Sequence, residues 1–373
     1  MSVPAARPPL PILTSLRFFA AAEVVAYHYS AAPSIPTDLF RGLAAGGYEA
    51  VTFFFVLSGF ILTYVYTRAR EADSFINVST SEFWKARIAR ISPAYFLGLL
   101  LLLPSFVYSA LIAKILPIEL FILGLMLVPV FLQAWWPPAA LLWNVPAWSL
   151  SVECFFYALF PVLAHATVRL SRNHLVVIAY FIVVAMTLVR SAMVPPSVIP
   201  LKSEVWHNFV SYFPLFHLPQ FIFGMALGRL YLFGRTHSPK IHVSMFCIGA
   251  IGLVFVFGGR SLLPSWTQTD ATLVLLFGLV IFGGARAEGA FKVFTFPSFI
   301  LLGEASYSIY ILHIPIWFWW NWFTRKIFHS SLPAFPNFAI YFALVVVASV
   351  LCYLYVEKPM RRWILGHREH RAA

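Results

Sequence analysis

Leu16-Arg17-Phe18-Phe19-Ala20-Ala21-Ala22-Glu23-Val24-Val25-Ala26-Tyr27-His28 lies in the first long apolar segment of the chain. On a helix, the step from Arg17 to His28 is about three turns, or roughly 16 Å, so the two side chains share one face at opposite depths. Ionisable groups in hydrocarbon cost about 3 kcal/mol or more each and, where tolerated, face a protein or water-filled interior. Either Arg17 snorkels to the headgroups and His28 is interfacial, or a cation and an imidazole line a path through a membrane.

The rest of the chain has the same character. Hydrophobic residues make up 61% and charged residues 11%, with a mean hydropathy of +0.82, whereas a soluble domain carries roughly 25% charge. This composition is that of an integral membrane protein. Apolar segments about twenty residues long consume nearly all 373 residues, so a single membrane domain is expected over 1–373, with a core at about 10–365 and a short basic tail at 366–373. Segment 10–29 is too long and too polar for a cleaved signal peptide and is expected to remain the first span. The net charge of +12 sits between the apolar segments, where it sets topology and meets anionic lipid; nucleic acid is not an expected partner. Cys154, Cys247 and Cys352 lie in apolar segments without metal-ligand spacing, so neither a disulfide framework nor a metal site is expected.

Eleven apolar segments are legible, at approximately 10–29, 47–67, 91–111, 117–133, 147–168, 174–195, 207–233, 241–259, 270–286, 298–323 and 336–356. If all eleven span, with the N-terminus inside, 11 Lys and Arg fall inside and 13 outside, against the positive-inside rule. A single net crossing over 91–133 changes the division to 18 and 6. The expected fold is therefore an all-α polytopic bundle of ten spans plus one re-entrant or interfacial helix, with both termini cytoplasmic. Pro104, Lys114 and Pro117 place the break at 104–118.

Four further stretches carry candidate chemistry. In Phe53-Phe54-Phe55-Val56-Leu57-Ser58-Gly59-Phe60, the Ser58-Gly59 pair either lets helices approach closely or leaves room for a narrow ligand. Lys85, Arg87 and Arg90 cluster at the start of a span: they anchor the helix end, or Arg87 and Arg90, three apart on one face, grip phosphates. Glu153, in Trp148-Ser149-Leu150-Ser151-Val152-Glu153, is a carboxylate inside an apolar helix and needs a partner, for which a histidine or arginine is natural. Trp148 alone reads as an interfacial belt residue. In Ala305-Ser306-Tyr307-Ser308-Ile309-Tyr310-Ile311-Leu312-His313, the hydroxyls and His313 line a polar cavity or cross-link helices. The tail Glu357-Lys358-Pro359-Met360-Arg361-Arg362-Trp363 reads as a stop-transfer anchor.

The order of these pieces resembles membrane acyltransferase family 3, integral-membrane O-acyltransferases that modify polysaccharides, peptidoglycan and some antibiotics. The resemblance runs from about residue 12 to 365. It rests on Arg17 and His28, Phe-Phe-Val-Leu-Ser-Gly-Phe, Arg-Ile-Ala-Arg-Ile-Ser-Pro, Trp-Ser-Leu-Ser-Val-Glu and Ala-Ser-Tyr-Ser-Ile-Tyr. It implies His28 as the essential histidine, Arg17 as its motif partner, Glu153 as the motif carboxylate, and Arg87 and Arg90 as the basic pair for acyl-coenzyme A. Lys85, Ser58 and Gly59 would border that donor, and Trp148, Ser151, Ser306, Tyr307 and His313 would line the acceptor side. Thr14-Ser15 and Glu23 depart from the family pattern, and Glu23 marks an unusual acceptor or a salt bridge.

The activity this implies is transfer of an acyl group, with acetyl the expected one, from cytoplasmic acyl-coenzyme A to a hydroxyl of a glycan or lipid-linked saccharide at the outer face of the cell membrane. His28 would be the general base and Glu153 its orienting carboxylate, with no metal involved. A small antibiotic or lipid acceptor would use the same donor half. A transporter or flippase of a lipid-linked or anionic substrate would also bury such charges, but neither internal repeats nor a clear pair of broken helices supports that reading. The oligomeric state is left open by the sequence.

Overall fold

Apolar runs of about twenty residues satisfy their backbone in hydrocarbon by forming helices. A computed structural model describes residues 7–30, 46–67, 79–168, 171–193, 200–233, 238–287, 289–328 and 333–366, which are mainly helical with no β-strand among them. The expected tail beyond Gly366 lies outside the described residues. In chain order the helices are α1 (Pro11–Ser30), α2 (Gly47–Tyr66), α3 (Thr80–Val107), α4 (Ile118–Leu127), α5 (Trp148–Val168), α6 (Arg172–Met193) and α7 (Pro200–Tyr212). They continue as α8 (Leu218–Phe233), α9 (Pro239–Gly258), α10 (Asp270–Arg286), α11 (Pro297–Glu304), α12 (Ser306–Phe328), α13 (Ala334–Cys352) and α14 (Lys358–Leu365). Two π-turns interrupt them, Tyr108–Ile112 after α3 and Tyr353–Glu357 between α13 and α14.

Six of the described helices are long and apolar enough to cross a membrane, and two bent pairs bring the number to eight, fewer than the ten expected. Physical causes account for the difference. α1 spans 20 residues, but Arg17, Glu23 and His28 offset its apolar side chains, and α10 has only 17 residues. Both nevertheless pack within the bundle, α1 on α2, α11 and α12, and α10 on α2 and α9. The short α4 has ten residues, a rise of about 15 Å, or half the hydrocarbon thickness. The chain breaks before it at Lys114, whose φ is +52°, and at Pro117; Pro104 stays inside α3.

α2 is the central helix: 72% of its apolar window is buried, against 17% for α6 and 22% for α9. Its tightest crossing is with α8 and depends on glycine. A Cβ on Gly59 would stand 2.1 Å from the Phe221 carbonyl oxygen, and one on Gly224 would stand 2.0 Å from that of Val56. Helix backbone therefore fills the room expected beside Gly59, and the close-packing role is the one realised there. A second contact of this kind, Gly303 against the Thr14 carbonyl, ties α11 to α1. Just beyond it, α11 and α12 meet at a 59° bend, which directs α12 into the interior.

Residues 133–147 form a set of short 3-10 turns folded onto the bundle. Gln133 and Asn144 are fully buried in it; Gln133 donates to the Ala147 carbonyl (2.7 Å), and Asn144 to that of Ile311 on α12 (3.1 Å). The first satisfies a carbonyl of the non-helical stretch that apolar surroundings would otherwise penalise, and the second fastens the stretch to α12.

Candidate active site

His28 lies in the last turn of α1, with Nδ1 3.0 Å from the carbonyl oxygen of Val24 and 3.2 Å from Nε2 of His313. His313 is fully buried on α12, and its own Nδ1 is 2.7 Å from the Tyr310 carbonyl oxygen. A carbonyl only accepts, so His313 Nδ1 bears the hydrogen, and Nε2 of the neutral ring is an acceptor. His28 Nδ1 thus faces two acceptors and must be the donor to them. The consequence is a defined tautomer: His28 Nε2 retains its lone pair. Tyr341 holds the supporting turn by donating to the His313 carbonyl at 3.1 Å.

Glu153 was the expected partner of His28, and here the structure differs. Its Oε1 accepts from Tyr157 at 2.5 Å and from Ser58 at 3.4 Å, while the imidazole's partner is His313. Glu153 instead belongs to a charged interior together with Arg17, Arg90 and Glu357. Arg17 is within electrostatic reach of Arg90, Glu357 and Glu153, and Arg90 of Tyr157, Glu153 and Glu357. Two guanidiniums thus share an enclosed region with two carboxylates, a combination that offsets the cost of burying each.

Arg87 stands at the edge of this region. Its Nη2 donates to the Tyr66 hydroxyl at 2.9 Å, and its guanidinium lies over the rings of Tyr66, Phe83 and Tyr157 at 5.3, 6.0 and 6.0 Å. Arg87 and Arg90 both border Tyr157, as their spacing on one helix face predicts. Lys85 is exposed.

The remaining candidates divide. Trp148 is buried among Tyr48, Tyr212 and His217 rather than at an interface. The Ser151 hydroxyl accepts from the Ala134 N–H at 3.4 Å, and the Tyr307 hydroxyl donates to the Ile91 carbonyl at 2.5 Å, so both bind backbone. Ser306 is fully buried and its Oγ has no hydrogen-bond partner. The salt bridge considered for Glu23 is made instead by Glu49, which meets Arg260 at 2.8 Å; the buried Oε1 of Glu23 has no hydrogen-bond partner. Among the described residues no group of three His, Cys, Asp or Glu could hold a metal.

One member of this charged interior was not singled out by the sequence. Glu357 is buried, with 6% of its surface exposed, and accepts from Ser308 at 2.9 Å. The available signal was a carboxylate closing the apolar run 336–356.

A bundle of helices long and apolar enough to cross a membrane, with an imidazole of fixed tautomer and a guanidinium on the same helix, defines a multi-pass membrane protein. A family model described as an acyltransferase domain matches residues 11–355, and the chain belongs to this family, the membrane acyltransferases of family 3. It is 27% identical over 383 residues to acyltransferase MdmB of Streptomyces mycarofaciens, an alignment covering 96% of this chain and 93% of the relative. Exopolysaccharide production protein ExoZ of Rhizobium meliloti is 27% identical over 271 residues, with 72% and 75% covered. O-acetyltransferase OatA of Staphylococcus aureus is 24% identical over 381 residues, covering 95% of this chain and 57% of that protein. No solved structure matches. The protein is a membrane O-acyltransferase.

Proposed function

We propose that the chain moves an acetyl group from cytoplasmic acyl-coenzyme A to a hydroxyl of a glycan or lipid-linked saccharide at the outer face of the cell membrane, with both termini cytoplasmic. The observation that carries this reading is the bare Nε2 of His28, on a helix whose deeper turn holds Arg17 beside Arg90. The relatives' names, exopolysaccharide production and O-acetyltransferase, support the acceptor class and the acyl group.

In this mechanism the donor's phosphates meet Arg87 and Arg90, with Arg17 further along the path, because guanidiniums suit phosphate oxygens. His28 Nε2 takes the proton of the acceptor hydroxyl as its oxygen attacks the thioester carbonyl. The His28 imidazolium then returns that proton to the sulfur as the C–S bond breaks, giving the ester and free coenzyme A. His313 holds the ring by accepting from Nδ1–H, a bond that strengthens when the ring becomes cationic. Glu153 belongs to the donor half, through Tyr157 and Ser58.

The test supplies labelled acetyl-coenzyme A to membrane vesicles holding the protein. His28→Ala should abolish transfer while the protein still inserts, and Arg87→Ala with Arg90→Ala should chiefly weaken donor use. Near-normal transfer by His28→Ala would end the proposal.

A further inference from the structure

We infer that Glu357 is a positioning residue for the donor half of the site: the π-turn Tyr353–Glu357 turns its carboxylate inward, where it holds the guanidiniums of Arg90 and Arg17. This inference rests on the donor assignment proposed above.

The helix phase carries the argument. The buried side chains of α13 are Tyr341, Val345, Ser349 and Cys352, at steps of four, four and three, which is an α-helical face. Continued from Cys352, that period reaches position 355 or 356. Yet Tyr355 is 73% exposed, and the next buried position is Glu357, a step of five. The π-turn supplies the extra residue: the N–H of Lys358 bonds to the Tyr353 carbonyl, five residues back. In an unbroken α-helix position 357 would point away from the buried face. Single π-turns within α-helices are rare and recur at functional sites.

What the turned carboxylate meets is specific. The π-turn and α14 pack on α3, the helix that carries Arg90, and Glu357 Oε2 accepts from Ser308 on α12 at 2.9 Å. At the other end of the turn, Tyr353 is fastened by donating to Glu304 at 2.9 Å. The charged groups facing Glu357 are Arg90 and Arg17 from the interior and Arg361 from its own helix. Neither Arg17 nor Arg90 donates a hydrogen bond to any described residue, so carboxylates set their position by charge and leave their N–H groups available. A lipid-facing anchor residue would need neither burial nor a π-turn.

The test is donor kinetics in vesicles, normalised to inserted protein. Glu357→Gln should raise the KM for acetyl-coenzyme A at least tenfold while changing kcat less than threefold, and Glu357→Asp, which keeps the charge, should recover part of the loss. In an Arg90→Ala background, Glu357→Gln should add less than a twofold further change, because the two groups act as a unit. An unchanged KM in Glu357→Gln, or a full tenfold loss on top of Arg90→Ala, would overturn the inference and leave the donor assignment standing. A wild-type protein that neither binds nor consumes acetyl-coenzyme A would overturn both.

Discussion

His313 offers the sharpest check on the proposed chemistry, because it meets the reacting ring through a single bond. Replacing it with Leu removes the acceptor 3.2 Å from His28 Nδ1 and leaves the Val24 carbonyl at 3.0 Å, so the tautomer survives and the ring does not reverse. What is lost is one hydrogen bond to a ring that is neutral at rest and cationic in the transition state. A bond to a charged partner contributes about 1.5–3 kcal/mol. The neutral resting ring already has about 1 kcal/mol of that, so the transition state loses about 0.5–2 kcal/mol more than the ground state. At about 1.4 kcal/mol per decade, kcat should fall roughly 2- to 30-fold. That loss is smaller than the 10²- to 10⁴-fold typical of removing a general base. The acetyl-coenzyme A KM should stay within threefold, since His313 touches none of the guanidiniums. His313→Gln, whose amide oxygen can accept from Nδ1–H, should recover part of the rate. The assay is initial-rate transfer in vesicles over a range of donor concentrations. A kcat in His313→Leu within twofold of wild type, or a loss carried entirely by donor KM, would refute the assignment.

Two further outcomes concern the scaffold. Gly59→Ala places a methyl 2.1 Å from the Phe221 carbonyl oxygen, so α2 and α8 must separate; a loss of about 1–3 kcal/mol should appear as a lowered melting temperature in detergent, and an unchanged one would refute the crossing. Arg260→Ala strands the nine-tenths buried carboxylate of Glu49 and should destabilise the protein by about 1–3 kcal/mol, with Glu49→Gln in the same background regaining part of the stability; additive losses would refute the pairing.

The helical class and most segment positions were legible because apolar runs of membrane length leave the backbone little choice. The interruption of 91–133 was legible too, because Lys114 and Pro117 fall where the short α4 is set apart. His28, Arg17 and Arg90 stood out because ionisable groups are rare in hydrocarbon. Which of them meet was not legible, since neighbours across helices depend on rotation about each axis. Glu153 and His28 looked complementary by type, yet the bend at Ala305 brings His313 to the imidazole, and Tyr157, on Glu153's own helix, occupies the carboxylate. Glu357 escaped notice for a related reason: hydropathy assigns it to the helix end, and only the irregular turn before it reverses its direction.

The contrast between the deeply enclosed α2 and the largely bare α6 and α9 has a consequence for how the protein meets its bilayer. Acyl-chain length acts on whatever surface touches lipid, at fractions of a kcal/mol per Å of mismatch. The outer helices can tilt to absorb that cost while the glycine-locked centre keeps its register. Thickness of the host membrane should therefore alter the lean of the periphery far more than the spacing between the two imidazoles.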